Sequence, residues 1–514
     1  MTQSRTEMAA KNILWGYINT IATTILKFVC RWAFIHTIGI TYLGINGLYT
    51  SILGVLSLTE LGIGTAMNYS LYKPVAERNT EKIKSLMVYY KKAYRYVALV
   101  ITVLGVALIP FLPKLIKGAD GVDHLVLYYV LFLFNTVSSY FVSYKYSLAG
   151  ADQRNYVVNN INTMATIIMN ILQIIALFVF RSFLVYLIIQ IVSLLFSKVY
   201  ASVYLDKMYP YLKDKDVQPL DEKSKKRLLS DVRALIVHKL GDVAVNQTDA
   251  IIISAAISVA VTGLISNYSL VISTVESVLA ILFGSIIGSL GNLCATTSKQ
   301  KQLDVFKIYD FASFWLFGFA SIAYAVLLQS FNVLMWGPEY VVDYKVVLLI
   351  YINHYIVGQR IPLSNMKTAS GVFQEDKFLP IIQAIVNLVV SIALVKTIGL
   401  IGIYIGTLVS GIVPSIIRPI VVYRKMFDQS VEEYFKRYAC HFAVIALLGI
   451  ITYYVCKPIL SVTSWPRFIA AVFITAILPN VAIFLLYRKS QELSYVLNTI
   501  KRLTTKIQKK IRHA

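Results

Sequence analysis

The chain has 514 residues, of which 57% are hydrophobic and only 15% are charged. Soluble proteins carry about 25% charged residues, so this composition excludes an ordinary soluble protein. The net charge of +23 does not indicate a nucleic-acid partner, because the cations lie between long apolar blocks, where they orient a membrane protein.

The apolar residues form blocks of about 20 residues or more, the length that an α-helix needs to cross a bilayer. These blocks lack the alternation of polar and apolar residues that is typical of membrane β-barrels. We therefore predict an all-α polytopic membrane protein with about 14 transmembrane helices. The predicted spans are 12–38, 41–72, 93–113, 122–147, 157–180, 182–205, 232–258, 261–294, 308–332, 341–366, 378–398, 400–423, 438–457 and 465–487.

Lysines and arginines are distributed unevenly over the two sides of these spans. One side holds 39 of the 49, at the N-terminus, on connections 73–95, 145–154, 198–239, 299–307, 367–377 and 418–437, and after 487. The other side holds seven: Lys114, Lys117, Arg181, Lys345, Lys396, Lys457 and Arg467. By the positive-inside rule, we predict that both termini are cytoplasmic. We expect no cleavable signal peptide, because the first apolar block is too long and contains charges.

Two short motifs recur along the chain at nearly the same spacing. The pattern Gly-Ile/Leu-x-x-x-Tyr-Thr/Ser occurs at 44–50 and again at 263–269. The Gly-x-x-Gln turn at 150–153 is matched at 371–374, so the two offsets differ by only two positions. The two matches indicate a duplicated unit of six spans, and because six is even the two copies run parallel in the membrane.

The duplication predicts five segments. They are an N-terminal six-helix bundle at 1–206, a cytoplasmic linker at 207–231, a second six-helix bundle at 232–424, two additional transmembrane helices at 425–488 and a tail at 489–514. The tail has the pattern of a basic amphipathic helix, which suits the anionic cytoplasmic leaflet.

The first span carries two cations near its middle, Lys27 and Arg31. Each costs about 2.5–3.5 kcal/mol at the centre of a membrane helix. With Thr20 and Thr24 they share one helical face, which favours a wet, protein-lined cavity on that side. Alternatively, Arg31 reaches an interface, or both cations pair with carboxylates in a packed bundle.

Other predicted spans carry polar residues as well. We predict that the cavity contains one further cation, four carboxylates and five other polar groups: Arg360; Glu60, Asp242, Asp249 and Glu276; Asn46, Tyr49, His238, Asn246 and His354. The deeper carboxylates, Asp249 and Glu276, either pair with arginines or couple transport to a proton or sodium ion. Asp242 lies near a cytoplasmic end, where it is either solvated or part of the cavity. Pro362 is expected to bend the tenth span.

The fourth predicted span holds five tyrosines: Tyr128, Tyr129, Tyr140, Tyr144 and Tyr146. Their rings suit stacking on sugars, and the alternative is ordinary packing with an aromatic belt. The four cysteines lack metal-ligand spacing, and we find no nucleotide-binding loop or catalytic constellation. The sequence therefore predicts no metal site, no cofactor and no enzymatic activity.

The stretches 28–31, 39–48, 56–66 and 71–74 resemble the polysaccharide-transporter branch of the MOP exporter superfamily, the Wzx-type flippases. The resemblance covers about the first 95 residues and, more loosely, the turn at 150–154. It implies two six-helix bundles that work by alternating access.

The resemblance also implies a function. The substrate would be an undecaprenyl-pyrophosphate-linked oligosaccharide, moved to the outer leaflet of the bacterial cell membrane for capsule, exopolysaccharide or O-antigen synthesis. Arg31 and Lys27 would attract the anionic head, and Asp249 or Glu276 would take part in coupling. The partners would be membrane lipids, a polysaccharide polymerase and chain-length machinery, without nucleic acid.

Three alternative functions are compatible with parts of this pattern. A teichoic-acid or lipid II flippase would handle a similar anionic lipid. A MATE-like multidrug antiporter usually takes cationic drugs and would be expected to have an acidic cavity. A membrane polysaccharide polymerase or ligase is more remote, because it needs a sizeable outward loop with catalytic residues.

Overall fold

The computed structural model describes residues 5–57, 63–214, 216–222, 224–226, 228–229, 232, 247–372, 375–499 and 501, with backbone alone for 5–19 and 65. Every regular element in these ranges is helical, and twelve of the helical segments are long and apolar enough to cross a membrane. The prediction of an all-α, multi-pass membrane protein is therefore confirmed. The described chain divides into two compact units, unit 1 through Ser266 and unit 2 from Asn267.

Unit 1 contains the helices of the first half of the chain. They are α1 (Arg5–Ile38), α2 (Ile40–Leu56), α3 (Ile63–Ala76), α4 (Thr80–Leu108), α5 (Leu125–Ala151), α6 (Asn155–Phe180) and α7 (Phe183–Met208). Residues 247–256 are also helical. Helix α8 (Val259–Gly284) begins in unit 1 and continues into unit 2.

Unit 2 contains the remaining helices. They are α9 (Ile287–Thr296), α10 (Lys299–Trp336), α11 (Tyr344–Gln359), α12 (Ile361–Ser370), α13 (Leu379–Ile398), α14 (Leu400–Val422), α15 (Glu432–Leu460) and α16 (Trp465–Tyr487). The chain leaves α14 through a π-helical turn at Tyr423–Phe427.

Helix starts in the two halves of the chain recur at a nearly constant spacing. Helices α8, α10 and α11 begin one fixed offset after α2, α4 and α5, the same offset that separates Gly44 from Gly263. The starts of α13 and α14 follow those of α6 and α7 at offsets only a few residues different. This recurrence supports the duplication inferred from the two short motifs. The boundaries predicted for the two bundles and the linker stay a prediction.

Three helix pairs are joined by only one or two residues, one of which has a positive φ. The residues with a positive φ are Gly39 between α1 and α2, Arg181 between α6 and α7, and Gly399 between α13 and α14, with φ values of 91°, 46° and 61°. A positive φ reverses the chain within one or two residues, and glycine adopts it without steric cost. These connections therefore need no longer loop. Helices α6 and α7 pack side by side, and so do α13 and α14.

Several predicted spans are interrupted in the structure. The second, 41–72, is divided between α2 and α3, and the eighth, 261–294, between α8 and α9. The tenth breaks at Arg360, just before Pro362 enters the first turn of α12, so the predicted bend is confirmed. Most of the seventh predicted span, 232–258, lies outside the described residues. The eighth and tenth predicted spans each still form one segment long enough to cross a membrane. The difference between twelve spans and about fourteen therefore concerns the second and the seventh, which lie partly outside the described residues.

Helices α2 and α8 cross within unit 1 with their backbones in contact. A Cβ added at Gly44 would overlap the carbonyl oxygen of Val259, and one added at Gly263 would overlap the carbonyl oxygen of Ile40. Gly44 and Gly263 are the first residues of the recurring seven-residue motif. Small residues allow such close approach between membrane helices, where packing replaces hydrophobic burial as the driving force.

A second contact in unit 1 joins residues 115–117, which follow α4, to residues 254–259, which lead into α8. The backbone N–H of Lys117 donates to the carbonyl of Ser254 at 3.2 Å, and the N–H of Val259 donates to the carbonyl of Lys117 at 2.8 Å. The Ser254 hydroxyl donates to the carbonyl of Leu115 at 2.7 Å. Unit 1 therefore includes residues 247–266, although the duplication assigns them to the second copy.

We expect Gly44→Ala to destabilise the protein by about 1–3 kcal/mol, because the new methyl group must push the α8 backbone away. Gly47→Ala is the matched control on the same helix, since its Cβ would meet Thr262 Cγ2 at an ordinary 3.7 Å. Thermal unfolding of the purified variants in one detergent measures the difference. Equal melting temperatures for the two variants would contradict the close packing at Gly44.

Candidate functional site

Helix α1 presents two different faces in unit 1. Its exposed apolar residues Ile21, Ile25 and Trp32 lie on one side, as expected for contact with lipid. Lys27 is also exposed, yet it lies about 200° around the helix from Ile25. Its side chain therefore points away from the apolar exposed face. Within the described residues Lys27 makes no ion pair, so its charge is available to an anionic ligand.

Arg31 lies one turn further along the same face and is half-buried. Its Nη1 donates a hydrogen bond of 2.6 Å to Ser266 Oγ, and that hydroxyl donates to the carbonyl of Gly263 at 2.8 Å. The guanidinium is thus tied to the turn of α8 that meets Gly44. A buried cation needs such partners, because each of its N–H groups would otherwise be left without a hydrogen bond.

Neighbouring polar groups fix the orientation of α1. The thiol of Cys30 donates to Gln173 Oε1 at 3.9 Å, and Gln173 Nε2 donates to the carbonyl of Tyr186 at 3.3 Å. These contacts join α1 to α6 and α7. The rotation that places Lys27 and Arg31 on one face is therefore held by contacts of the adjacent residue Cys30.

The other site residues predicted in unit 1 have different environments. Asn46 is half-buried on α2, and Asp249 is half-buried in the helical residues 247–256. Four predicted residues lie outside the described residues: Glu60, His238, Asp242 and Asn246.

Tyr49 was predicted to line the cavity, but the structure places it in the core. Its side chain is fully buried, its hydroxyl donates to the carbonyl of Leu125 at 2.8 Å, and its ring packs edge-on against Tyr129 and Phe132. Tyr268, at the corresponding motif position, is also buried and accepts from the N–H of Val342 at 3.2 Å. Both tyrosines therefore contact the start of the corresponding helix, α5 in the first repeat and α11 in the second.

The tyrosines of α5 are likewise mostly packing residues. Tyr129 and Tyr140 are buried, with hydroxyls donating to the carbonyl of Gly105 at 3.1 Å and to Ser57 Oγ at 3.0 Å. Tyr128 and Tyr144 are buried as well. The packing alternative therefore fits these four better than sugar stacking does.

Unit 2 brings two predicted residues together. Nδ1 of His354 on α11 lies 3.5 Å from Oε1 of Glu276 on α8, with the imidazole buried and the carboxylate half-exposed. The rings of Phe317 and Tyr324 enclose the imidazole, with centroids at 5.4 and 4.8 Å. Nε2 of His354 has no hydrogen-bond partner among the described residues. Two groups that can bind and release protons are thus in contact inside a membrane-spanning region.

Arg360, the third predicted cation, lies at the break between α11 and α12 and is half-buried. The break interrupts the helical hydrogen-bond ladder beside this residue, as it does where transporter helices are discontinuous.

Two half-buried cations, Lys198 and Arg437, lie inside helices although both were counted with the predicted cytoplasmic connections. Lys198 lies inside α7, where its Nζ donates to the carbonyl of Asn135 at 2.8 Å and to Ser138 Oγ at 2.9 Å. Arg437 lies inside α15 and pairs with buried Asp310 on α10 at 3.2 Å. The early start of α15, signalled by acidic residues in its first turn, could have revealed the depth of Arg437.

No protein-family model matches this chain, and no curated protein sequence matches it. Solved structures do. The inward closed conformation of the lipid II flippase MurJ aligns with a TM-score of 0.64 at 14% identity, covering 93% of this chain and 99% of that one. An inward-facing multidrug resistance MATE family transporter of the MOP superfamily aligns with a TM-score of 0.56 at 16% identity, covering 78% and 95%.

A mutant of the Vibrio cholerae MATE transporter VcmN aligns with a TM-score of 0.52 at 14% identity, covering 83% of this chain and 98% of that one. The chain has the fold of MOP-superfamily transporters. At these identities the likeness concerns the fold alone, so the predicted resemblance to the polysaccharide-transporter branch stays a prediction.

We expect Tyr49→Phe to lower stability by about 1 kcal/mol, because it removes the hydrogen bond to the Leu125 carbonyl. Transport should be unchanged, since the buried hydroxyl does not reach a ligand. Thermal unfolding and an export assay on the same variant check both expectations. A loss of export at normal stability would instead indicate that the Tyr49 hydroxyl contacts the ligand.

Proposed function

We propose that this chain is a flippase for undecaprenyl-pyrophosphate-linked oligosaccharides. It moves them from the cytoplasmic to the outer leaflet of the bacterial cell membrane, with both of its termini in the cytoplasm. The product serves capsule, exopolysaccharide or O-antigen synthesis, where a polymerase and chain-length machinery would act next. Transport proceeds by alternating access through a cationic cavity.

The observation that carries this proposal is the cationic face of α1. Lys27 is exposed on the side away from the apolar exposed residues, and Arg31 is held beside it by Ser266. Their charge is costly in a membrane unless water or an anion is present. A pyrophosphate offers several acceptor oxygens to a guanidinium and an ammonium, and such charge-assisted hydrogen bonds are the strong ones.

The fold is consistent with the transport of a lipid-linked substrate, because one of the structures that share it is a lipid II flippase. Lipid II and teichoic-acid precursors present the same class of anionic headgroup, so flippases for these lipids remain alternatives. A multidrug antiporter for cationic drugs is less suited to this face, because like charges repel. A polymerase is less suited as well, since the outward connections 116–124 and 337–343 are short.

Coupling belongs to the Glu276–His354 pair in this proposal. The donor set at this position is one carboxylate and one imidazole, with Tyr324 as the other titratable group in ring contact. Carboxylates and imidazoles are side chains that can carry a proton, whereas hard metal cations prefer cages of oxygen ligands. A proton gradient would therefore drive the cycle by charging and neutralising this pair.

We expect Arg31→Gln to reduce export by about tenfold or more, because a hydrogen bond to a charged group contributes about 1.5–3 kcal/mol. The measurement is the amount of lipid-linked oligosaccharide on the cytoplasmic face of cells that carry only the variant. Arg95→Gln is the control, since Arg95 is exposed on α4 and belongs to no part of the proposed site. Normal export by a correctly inserted Arg31→Gln protein would contradict the proposal.

The same cells identify the substrate. Accumulation of the oligosaccharide lipid after gene deletion supports the proposal, whereas accumulation of lipid II or of a teichoic-acid precursor supports the corresponding alternative. Sensitivity to cationic drugs without accumulation of any glycan lipid would favour the antiporter.

We expect Glu276→Gln to reduce proton-driven flipping in proteoliposomes by about fivefold or more, the usual size of coupling between two sites. The reason is that glutamine can neither bind nor release a proton. Glu339→Gln, at an exposed position after α10, provides the matched control. Stimulation of the unmodified protein by a sodium gradient, with no response to a proton gradient, would contradict the assignment.

A further inference from the structure

A pocket of about 390 Å³ lies in unit 1, away from α1. Its walls come from the first turns of α4, the last turns of α5 and α7, and the segment 211–217 that follows α7. The residues that define its chemistry are Lys84, Lys91, Tyr144, Lys145, Asp206 and Lys213. We call it the linker pocket.

Two lysines of the linker pocket are buried and already paired. Lys145 Nζ lies 2.6 Å from Asp206 Oδ1 and donates to Ser202 Oγ at 2.7 Å. Lys84 Nζ lies 2.6 Å from Glu81 Oε1 and 3.1 Å from Asp214 Oδ2. These ion pairs hold the walls of the pocket in place, because removing one partner would leave the other charge buried alone.

The other two lysines are available for binding. Lys91 and Lys213 are exposed, and neither forms an ion pair with any residue that the structure describes. The pocket as a whole therefore presents two cations in excess over its aspartates. Burial, and secondarily the charge of Asp152, raise the pKa of Tyr211 to about 12, so this lining residue keeps its hydroxyl proton at neutral pH.

The remaining walls are apolar and include Met87, Val88, Leu212 and Val217. A pocket with apolar walls and unpaired lysines suits a molecule that carries both a phosphate and hydrocarbon. It suits a small inorganic anion less well, because such an anion gains nothing from the apolar walls.

The position of the pocket indicates which kind of molecule would occupy it. It lies where α5 and α7 end and α4 begins, on the side of the membrane that the positive-inside rule assigns to the cytoplasm. The cytoplasmic leaflet supplies anionic phospholipids, and each cation near its surface contributes about 1 kcal/mol to their binding.

We infer that the linker pocket binds the phosphate headgroup of an anionic phospholipid of the cytoplasmic leaflet through Lys91 and Lys213. The bound lipid would join α4 to the segment that connects the two halves of the chain. This inference does not depend on the transported substrate, since the linker pocket shares no residue with the cationic face of α1.

The test uses the purified full-length protein in detergent and native mass spectrometry. The probes are dioleoylphosphatidylglycerol, dioleoylphosphatidylcholine and inorganic phosphate. We expect phosphatidylglycerol to bind more tightly than phosphatidylcholine, and Lys91→Gln/Lys213→Gln to weaken its binding by about tenfold. Inorganic phosphate should not displace it at millimolar concentration.

The control is Lys92→Gln/Lys207→Gln. It removes the same charge from exposed lysines that lie next to the linker pocket on α4 and α7 and do not line it. Equal loss of phosphatidylglycerol in both double variants would overturn the inference, because binding would then follow net charge alone. Unchanged binding by Lys91→Gln/Lys213→Gln, or equal binding of the two lipids, would overturn it as well. Displacement by inorganic phosphate would reassign the pocket to a free anion.

Discussion

The free-energy cost of placing a charge in a membrane determines how charged side chains are arranged in both units of this protein. A cation or carboxylate in the hydrocarbon region is tolerated where it is paired, hydrogen-bonded or in contact with water. Arg31 is tied to Ser266, Lys198 to the carbonyl of Asn135, and Asp310 to Arg437. Lys27 differs, because it is exposed on the polar side of α1 without an ion pair among the described residues. Lys27 is therefore available to the anionic headgroup of the proposed substrate.

The same principle acts at the end of each half that the sequence predicts to be cytoplasmic. In unit 1, Lys84 on α4 pairs with Asp214 in the segment after α7. In unit 2, Lys307 on α10 pairs with Glu433 at 2.8 Å, and Glu433 follows Asp214 by the offset that the helix starts share. Each repeat thus ties the first turns of one long helix to the chain that follows its last helix. These pairs are partly exposed, so they contribute to position more than to stability.

Features that depend only on the residues of a single segment could be predicted from the sequence. Span positions follow from local hydropathy, and the bend of the tenth span follows from Pro362. The roles of side chains depend on contacts between distant segments. The pairing of Glu276 with His354 needs α8 and α11 to meet, and no local pattern encodes that meeting. For the same reason, buried Tyr49 could not be distinguished from a tyrosine that faces a cavity.

The crossing at Gly44 and Gly263 has a consequence for how the chain can vary. Both residues hold the same place in the duplicated motif, and each lies against the backbone of the other's helix, Gly44 against the carbonyl of Val259 and Gly263 against the carbonyl of Ile40. A larger residue at one cannot be accommodated by shrinking the other, since glycine has nothing left to remove. As a result of the duplication, the same motif position is restricted to glycine in both halves of the chain. A larger side chain at either position would disturb the same contact between α2 and α8.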